Sequence, residues 1–143
     1  MYLTPMDAEK RKRNKRILLG LLIFFILFFA FGFYWFNLLK KDHKSTIATI
    51  EYCYYQGGRG GAQYVHFSYW VNKERYSDNK RLGNFCRTVT ELNDRLKGLK
   101  ITVLYNSNFP SNCYLLCVKD DYRKFNMLMP DSLSWMNDFL LCP

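Results

Sequence analysis

The sequence predicts a chain in two parts: one N-terminal transmembrane α-helix, then a small mainly-β domain of order β-β-β-α-β-β, folded as an antiparallel sheet or partly closed barrel. Three observations carry this. Residues 17–36, ILLGLLIFFILFFAFGFYWF, hold no charge over 20 residues. Residues 62–71, AQYVHFSYWV, alternate strictly between two faces. Residues 88–98, TVTELNDRLKG, carry the start and stop signals of a short helix between strand-like runs.

The apolar run comes first in the chain. At about 1.5 Å per residue it crosses a hydrocarbon core of roughly 30 Å, and the uncharged stretch continues through Leu39. Fifteen of the 20 residues are Leu, Ile or Phe. At about −0.4 kcal/mol each they favour insertion by about −6 kcal/mol. A cleaved signal peptide has a shorter apolar region that ends in small residues. This run ends in Phe33, Tyr34, Trp35 and Phe36, side chains suited to the interfacial belt, and no cysteine near its end offers a lipid-attachment point. The expected arrangement is a basic N-terminus over 1–16, an uncleaved signal anchor over 17–39, a polar stem over 40–45 and a β-rich domain over 46–143.

Charge gives the orientation. Lys10, Arg11, Lys12, Arg13, Lys15 and Arg16 precede the span, whereas only Lys40, Lys41 and Lys44 closely follow it. The positive-inside rule then places the N-terminus in the cytoplasm and the β domain outside. The net charge of +9 divides as +6 over residues 1–44 and +3 over residues 45–143. Most of the excess therefore sits beside the bilayer, where it attracts anionic head groups, and the basic balance needs no nucleic acid to explain it.

Within the β domain, TIATIEYCYY (46–55) is rich in β-branched and aromatic residues, a strand signature. QGGRGG breaks it as a glycine-permitted turn. In the next strand Val65, Phe67, Tyr69 and Val71 fall on one face, and Tyr64, His66, Ser68 and Trp70 on the other. Asn72-Lys73 turns the chain into ERYS, completing a three-stranded meander. Thr88 and Glu91 form a capping box, Val89, Leu92 and Leu96 an apolar stripe, and Gly98 suits the position after the helix, which is expected over 88–97. LKITVLY (99–105) is a further strand with Ile101, Val103 and Tyr105 on one side; CYLLCV (113–118) pairs back to it. A short amphipathic helix over 131–141 places Leu133, Met136, Phe139 and Leu140 on its apolar side.

Gly57-Gly58-Arg59-Gly60-Gly61, followed by Tyr64-Val65-His66-Phe67-Ser68-Tyr69, the Asn72 turn and Tyr76, resembles a widespread bacterial membrane-protein family known as domain of unknown function 3592. So does Ile101-Thr102-Val103-Leu104-Tyr105-Asn106 running to Pro110 and Tyr114-Leu115. The likeness covers roughly residues 46–118. It implies a transmembrane helix joined to a small β domain and brings no catalytic residue with it. The chain departs from the family's pattern in its capped helix, where a short Gly-Asp turn is common, and at Ser107, where proline is usual.

Sharper chemical readings find little footing. A phosphate-binding loop needs a Lys-Ser/Thr pair and a following helix, and GGRGGAQYV has neither. Tyr64-Val65-His66-Phe67 after Gly61 matches the tail of an RNA-stacking motif, but the second stacking position falls on Ala62 and the required element order is absent. His66 and Ser68 share a face, yet Ser68 sits mid-strand rather than on a strained elbow. Asp120-Asp121 reads as a turn or solvated edge before an acid–base pair. Cys113 and Cys117 read as neighbours on one face of one strand; with Cys53 or Cys86 they would make a zinc site, but no Cys-x-x-Cys knuckle is present.

Cys53, Cys86, Cys113, Cys117 and Cys142 all follow the span, as candidate disulfides or free thiols. Arg59, Tyr64, His66 and Trp70 form a candidate partner-binding patch, because Tyr, Trp and Arg are common interface anchors. The bland alternative packs Trp70 under the C-terminal helix. Together these readings imply a non-enzymatic, single-pass interaction domain of the bacterial inner membrane, an envelope-assembly accessory or an immunity-type binder. Its expected partners are the bilayer and a protein, with no cofactor, metal, nucleic acid or small-molecule substrate. A cysteine-dependent redox protein is the alternative, and a nucleic-acid or cytosolic-partner binder follows if the topology is reversed.

Overall fold

A computed structural model describes residues 5–58, 61–83 and 86–141, with side chains from residue 14 onward. Arg59 and Cys142, and the side chains of Lys10, Arg11, Lys12 and Arg13, lie outside the described residues. The chain divides after Leu38 into two compact units.

Helix α1 runs over Pro5–Lys41. Its segment Asn14–Lys41 is long and apolar enough to cross a membrane. Leu18, Phe24, Leu27, Phe29 and Phe33 stand exposed on every side of it, so the helix is apolar all round rather than along one stripe. Phe24 stacks on Phe28, and Phe31 on Trp35, four residues apart along the helix. The expected stem over 40–45 does not exist as a separate segment: α1 continues to Lys41 and strand β1 opens at His43. His43 shares a hydrogen bond with the Lys40 carbonyl at 3.2 Å, closing the last turn of the helix.

The second unit holds β1 (His43–Gln56), β2 (Ala62–Val71), β3 (Glu74–Arg81), α2 (Val89–Leu96), β4 (Lys100–Asn106), β5 (Cys113–Leu115), α3 (Lys119–Lys124) and α4 (Ser134–Leu141), the last preceded by a 3-10 turn at Asp131–Leu133. The strands form one antiparallel sheet in the order β3-β2-β1-β4-β5, curled into a half-barrel with α2 inserted between β3 and β4. The expected fold class is the observed one. Strand β3 is longer than ERYS alone, β5 stops at Leu115, and α3 was not expected. Cys113 and Cys117 therefore do not share a strand.

Local chemistry explains the connections. Asn72 and Lys73 both adopt positive φ, 51° and 70°, which gives the hairpin the twist its strands require. Gly58 sits at φ 121° and its carbonyl accepts the Gly61 amide at 3.0 Å, so the first hairpin turn rests on glycine. The Thr88–Glu91 capping box forms in both directions, and Gly98 turns the chain at φ 80° after α2. The core lies on the concave face: Ala48, Ile50, Val65, Phe67, Tyr69, Ile101 and Val103 from the sheet meet Leu92 and Leu96 of α2 and Met136 and Leu140 of α4. Each buried leucine contributes about 1.5–3 kcal/mol relative to exposure.

The half-barrel closes through side chains where its edges meet. Lys80 of β3 donates to the Leu115 carbonyl of β5 at 2.8 Å and to Asp121 at 2.7 Å. Asp121 also accepts the Tyr114 hydroxyl at 2.8 Å and the Cys117 and Val118 amides at 3.0 and 3.2 Å. The reading of Asp120-Asp121 as a solvated edge is corrected for Asp121, which is buried. A carboxylate that caps a helix and faces a lysine from another strand has enough partners to leave water. Burial alone would raise its pKa, but the Lys80 charge and these hydrogen bonds outweigh it and hold the carboxyl below its usual value.

Candidate functional site: the open face of β1 to β3

The convex face of the meander is set by the alternation in β2. Tyr64, His66, Ser68 and Trp70 point away from the core, Tyr64 and His66 half-exposed and Trp70 61% exposed. Trp70 is therefore not packed under the C-terminal helix. Three of the four residues expected in a binding patch, Tyr64, His66 and Trp70, share this face. Arg59 lies outside the described residues.

Strand β1 completes the face through an irregularity that composition does not reveal. Ile50 pairs with Phe67, but the next pair is Tyr52 with His66, so Glu51 is the extra residue of a β-bulge. Were Glu51 held in the ladder, Tyr52 would face the core and Cys53 the solvent. The bulge instead sends Cys53 inward and Tyr52 and Tyr54 outward. Each tyrosine then stacks on its cross-strand neighbour: Tyr52 on His66 with ring centroids 4.7 Å apart and 26° between planes, Tyr54 on Tyr64 at 5.4 Å and 18°. Such cross-strand aromatic pairs are a common stabilising unit of antiparallel sheets. Helix α2 steadies this part of the strand, Asn93 accepting the Cys53 amide at 2.7 Å and donating to the Cys53 carbonyl at 2.9 Å.

Glu51 gathers the polar groups of the face. It accepts the Ser68 hydroxyl at 2.6 Å and the Arg75 guanidinium, and lies 3.6 Å from His66 Nε2. His66 Nδ1 shares a 2.8 Å hydrogen bond with Asn79 on β3. The Ser68 hydrogen bond, opposed by slight burial and aided by the Arg75 hydrogen bond and charge, holds the Glu51 carboxyl below its ordinary value. The face is thus an aromatic ladder beside a carboxylate already engaged by its neighbours, with Trp70 at one end. Such a surface can bind through ring area and hydrogen bonding. Glu51, Tyr52, Tyr54 and Arg75 were absent from the expected patch. The spacing of Tyr52 and Tyr54 puts them on one face, but only the bulge decides which face.

The thiols point elsewhere. Cys53 and Cys117 are buried and Cys113 is half-buried; all three are free. Burial pushes Cys53 up to about 11 and Cys117 to about 12, and Cys113 also rises to about 12, chiefly by burial with Asp78 beside it. Cys86 is disulfide-bonded, and Cys142 lies outside the described residues. Among the described residues, no three His, Cys, Asp or Glu side chains come together to hold a metal ion.

Comparison with family models, with curated proteins and with solved structures finds no match to this chain.

Proposed function

We propose that this chain is a membrane-anchored interaction domain without catalytic activity of its own, which binds a protein partner through the open face of β1–β3. The observation that carries the reading is the stacked aromatic face itself: Tyr52, Tyr54, Tyr64, His66 and Trp70 are exposed or half-exposed on a sheet whose other side is fully used by the core. Exposed, ordered aromatics beside an arginine are the usual composition of a binding hot spot. The anchor fixes where the partner is met. The basic residues before the span favour a cytoplasmic N-terminus in the bacterial inner membrane, and the Cys86 disulfide favours an oxidising, extracytoplasmic compartment for residues 39–143. The architecture of one span and one β unit is also what the resemblance to domain of unknown function 3592 implies, so membership in that family is part of this proposal. An envelope-assembly accessory and an immunity-type binder of a toxin are the two roles it fits.

The redox alternative has less support. A reactive cysteine needs an accessible thiolate, whereas Cys53 and Cys117 are buried, Cys113 is half-buried, and all three are pushed to about 11 or 12. The nucleic-acid alternative needs a strongly basic surface, whereas residues 45–143 carry only +3 and Arg75 on this face is engaged by Glu51.

The test is in-cell photo-crosslinking with a photoreactive residue at position 70 and, as control, at exposed position 97. A discrete adduct at 70 and none at 97 is expected. Equal or absent adducts at both positions would remove the open face as the binding site. A C-terminal alkaline phosphatase fusion that is inactive, with a fluorescent-protein fusion that is bright, would reverse the topology.

A further inference from the structure

We propose that the end of the β unit formed by the β4–β5 loop and the loop after α3 docks on the bilayer itself, with Phe109 and Leu128 entering the head-group region beside Lys40, Lys41 and Lys44. This rests on the reading of α1 as a membrane anchor.

Covalent geometry places that end. The compact unit begins at Leu39, the last residue of the uncharged run. Only Asp42 separates the end of α1 from the start of β1. Consecutive Cα atoms are about 3.8 Å apart, so His43 stands within about 15 Å of Leu39 whatever angle the chain takes.

Two loops are fastened to this junction. Asn106 pairs with His43, and its side chain donates to the Asp42 carbonyl at 3.0 Å. Ser107 donates to the Asp42 carboxylate, also at 3.0 Å. The loop that follows carries Phe109, 49% exposed. On the other side, the His43 ring lies 5.5 Å from the Phe125 ring, and Met127 lines one groove with His43, Lys44 and Ser45. The next residue, Leu128, is 93% exposed, more than any other large apolar side chain among the described residues.

These loops are held in place. Asn106 Oδ1 accepts the Asn108 and Phe109 amides at 3.0 and 3.1 Å, the Asn112 amide bonds the Phe109 carbonyl at 2.8 Å, and the Tyr69 hydroxyl donates to the Pro110 carbonyl at 2.5 Å. The Met127 amide bonds the Tyr122 carbonyl at 3.0 Å after Asn126 turns the chain at φ 55°. Scattered exposed apolar residues are ordinary on a protein surface. Two of them on fixed loops, both tied to the residues that leave the membrane, are placed where a head-group region would receive them. The charge agrees. Lys40, Lys41 and Lys44 form no ion pair among the described residues, and the junction's own acid, Asp42, is engaged by Ser107. An anionic lipid surface complements this end.

The experiment uses the full chain in nanodiscs of phosphatidylcholine and phosphatidylglycerol, labelled under native conditions with an environment-sensitive fluorophore at Leu128→Cys, Phe109→Cys, Gln56→Cys or Leu27→Cys. Nitroxide lipids then report depth. The label at 27 is expected to be quenched by mid-chain nitroxides. Labels at 128 and 109 should be quenched by head-group nitroxides several-fold more than the label at 56, at the far end of β1. If 27 is quenched while 128 and 109 behave like 56, the loops face water and the docking proposal is overturned with the anchor intact. If 27 is not quenched, the anchor reading fails and takes this proposal with it. Shielding of 128 that appears only when cell extract is added would assign the loops to a protein and also overturn it.

Discussion

The open face of β1–β3 and the seam between β3 and β5 use the same kinds of side chain, a carboxylate, a basic group and tyrosines, to opposite ends. On the face, Glu51 keeps 28% of its side chain exposed while Ser68, Arg75 and His66 surround it. In the seam, Asp121 keeps 5%, and Lys80, Tyr114 and two amides bond its oxygens, with Lys124 3.7 Å away. Both carboxyls are held below their ordinary pKa, yet the energetic meaning differs. Water competes for the first at little cost, whereas the second has been taken out of water and depends on its partners. The seam therefore holds the half-barrel shut, and the face holds its carboxylate ready without committing much stability to it.

The sharpest way to break this contrast is Lys80→Ala. It removes the closer of the two lysines that face buried Asp121, leaving only the half-exposed Lys124 at 3.7 Å, and should lower stability by about 3–5 kcal/mol, measured by urea unfolding of the detergent-solubilised chain. A loss under about 1 kcal/mol, the range of an exposed pair, would mean that the seam is solvated like the face. The double variant Lys80→Met with Asp121→Leu should recover part of that loss, because the buried ion pair is gone while the Cys117 and Val118 amides lose their acceptor.

Acid tests the same carboxyl. The folded-state pKa of Asp121 lies below its unfolded value, so its contribution to stability is present above about 4 and is lost as pH falls through the lowered folded value. Wild-type stability should decline along that limb, and the double variant should decline less. Glu51→Gln removes the charge from the open face and should cost no more than about 1 kcal/mol, with a correspondingly smaller change on the acid limb. Smallest of all in stability is Trp70→Ala, expected within about 0.5 kcal/mol of wild type. If the face is the binding site, that variant nevertheless loses partner capture in the cell, with crosslinking read from a neighbouring exposed position such as 52.

Much of this architecture is legible before any coordinates. The charge-free run, the alternation through Val65, Phe67, Tyr69 and Val71, the Asn72-Lys73 turn and the Thr88–Glu91 box are local signals, and each forms as its residues dictate. What is not legible there depends on distance or on a single residue. Asp121 looks solvated beside Asp120 because its lysine lies 41 positions earlier. Helix α3 spans six residues, too few to show a periodicity. The stem vanished because the polar residues 40–45 are shared between a helix end and a strand start. On the candidate face, the β2 half was readable from alternation, while the β1 half was hidden by the bulge, which leaves no mark in composition.

That bulge also sets which changes of chain length β1 can absorb. Glu51, between Ile50 and Tyr52, has no register partner in the β2 ladder. Losing its codon would leave Ile50 opposite Phe67 and Tyr52 opposite His66, an unbroken ladder with both tyrosine stacks in place and only the carboxylate gone. Losing the codon for Thr49 or Cys53 would shift one flank by a residue and turn side chains from one face to the other. For insertions and deletions the strand is therefore uneven, with a single expendable position set between two that are not, and the expendable residue is the one that carries the charge.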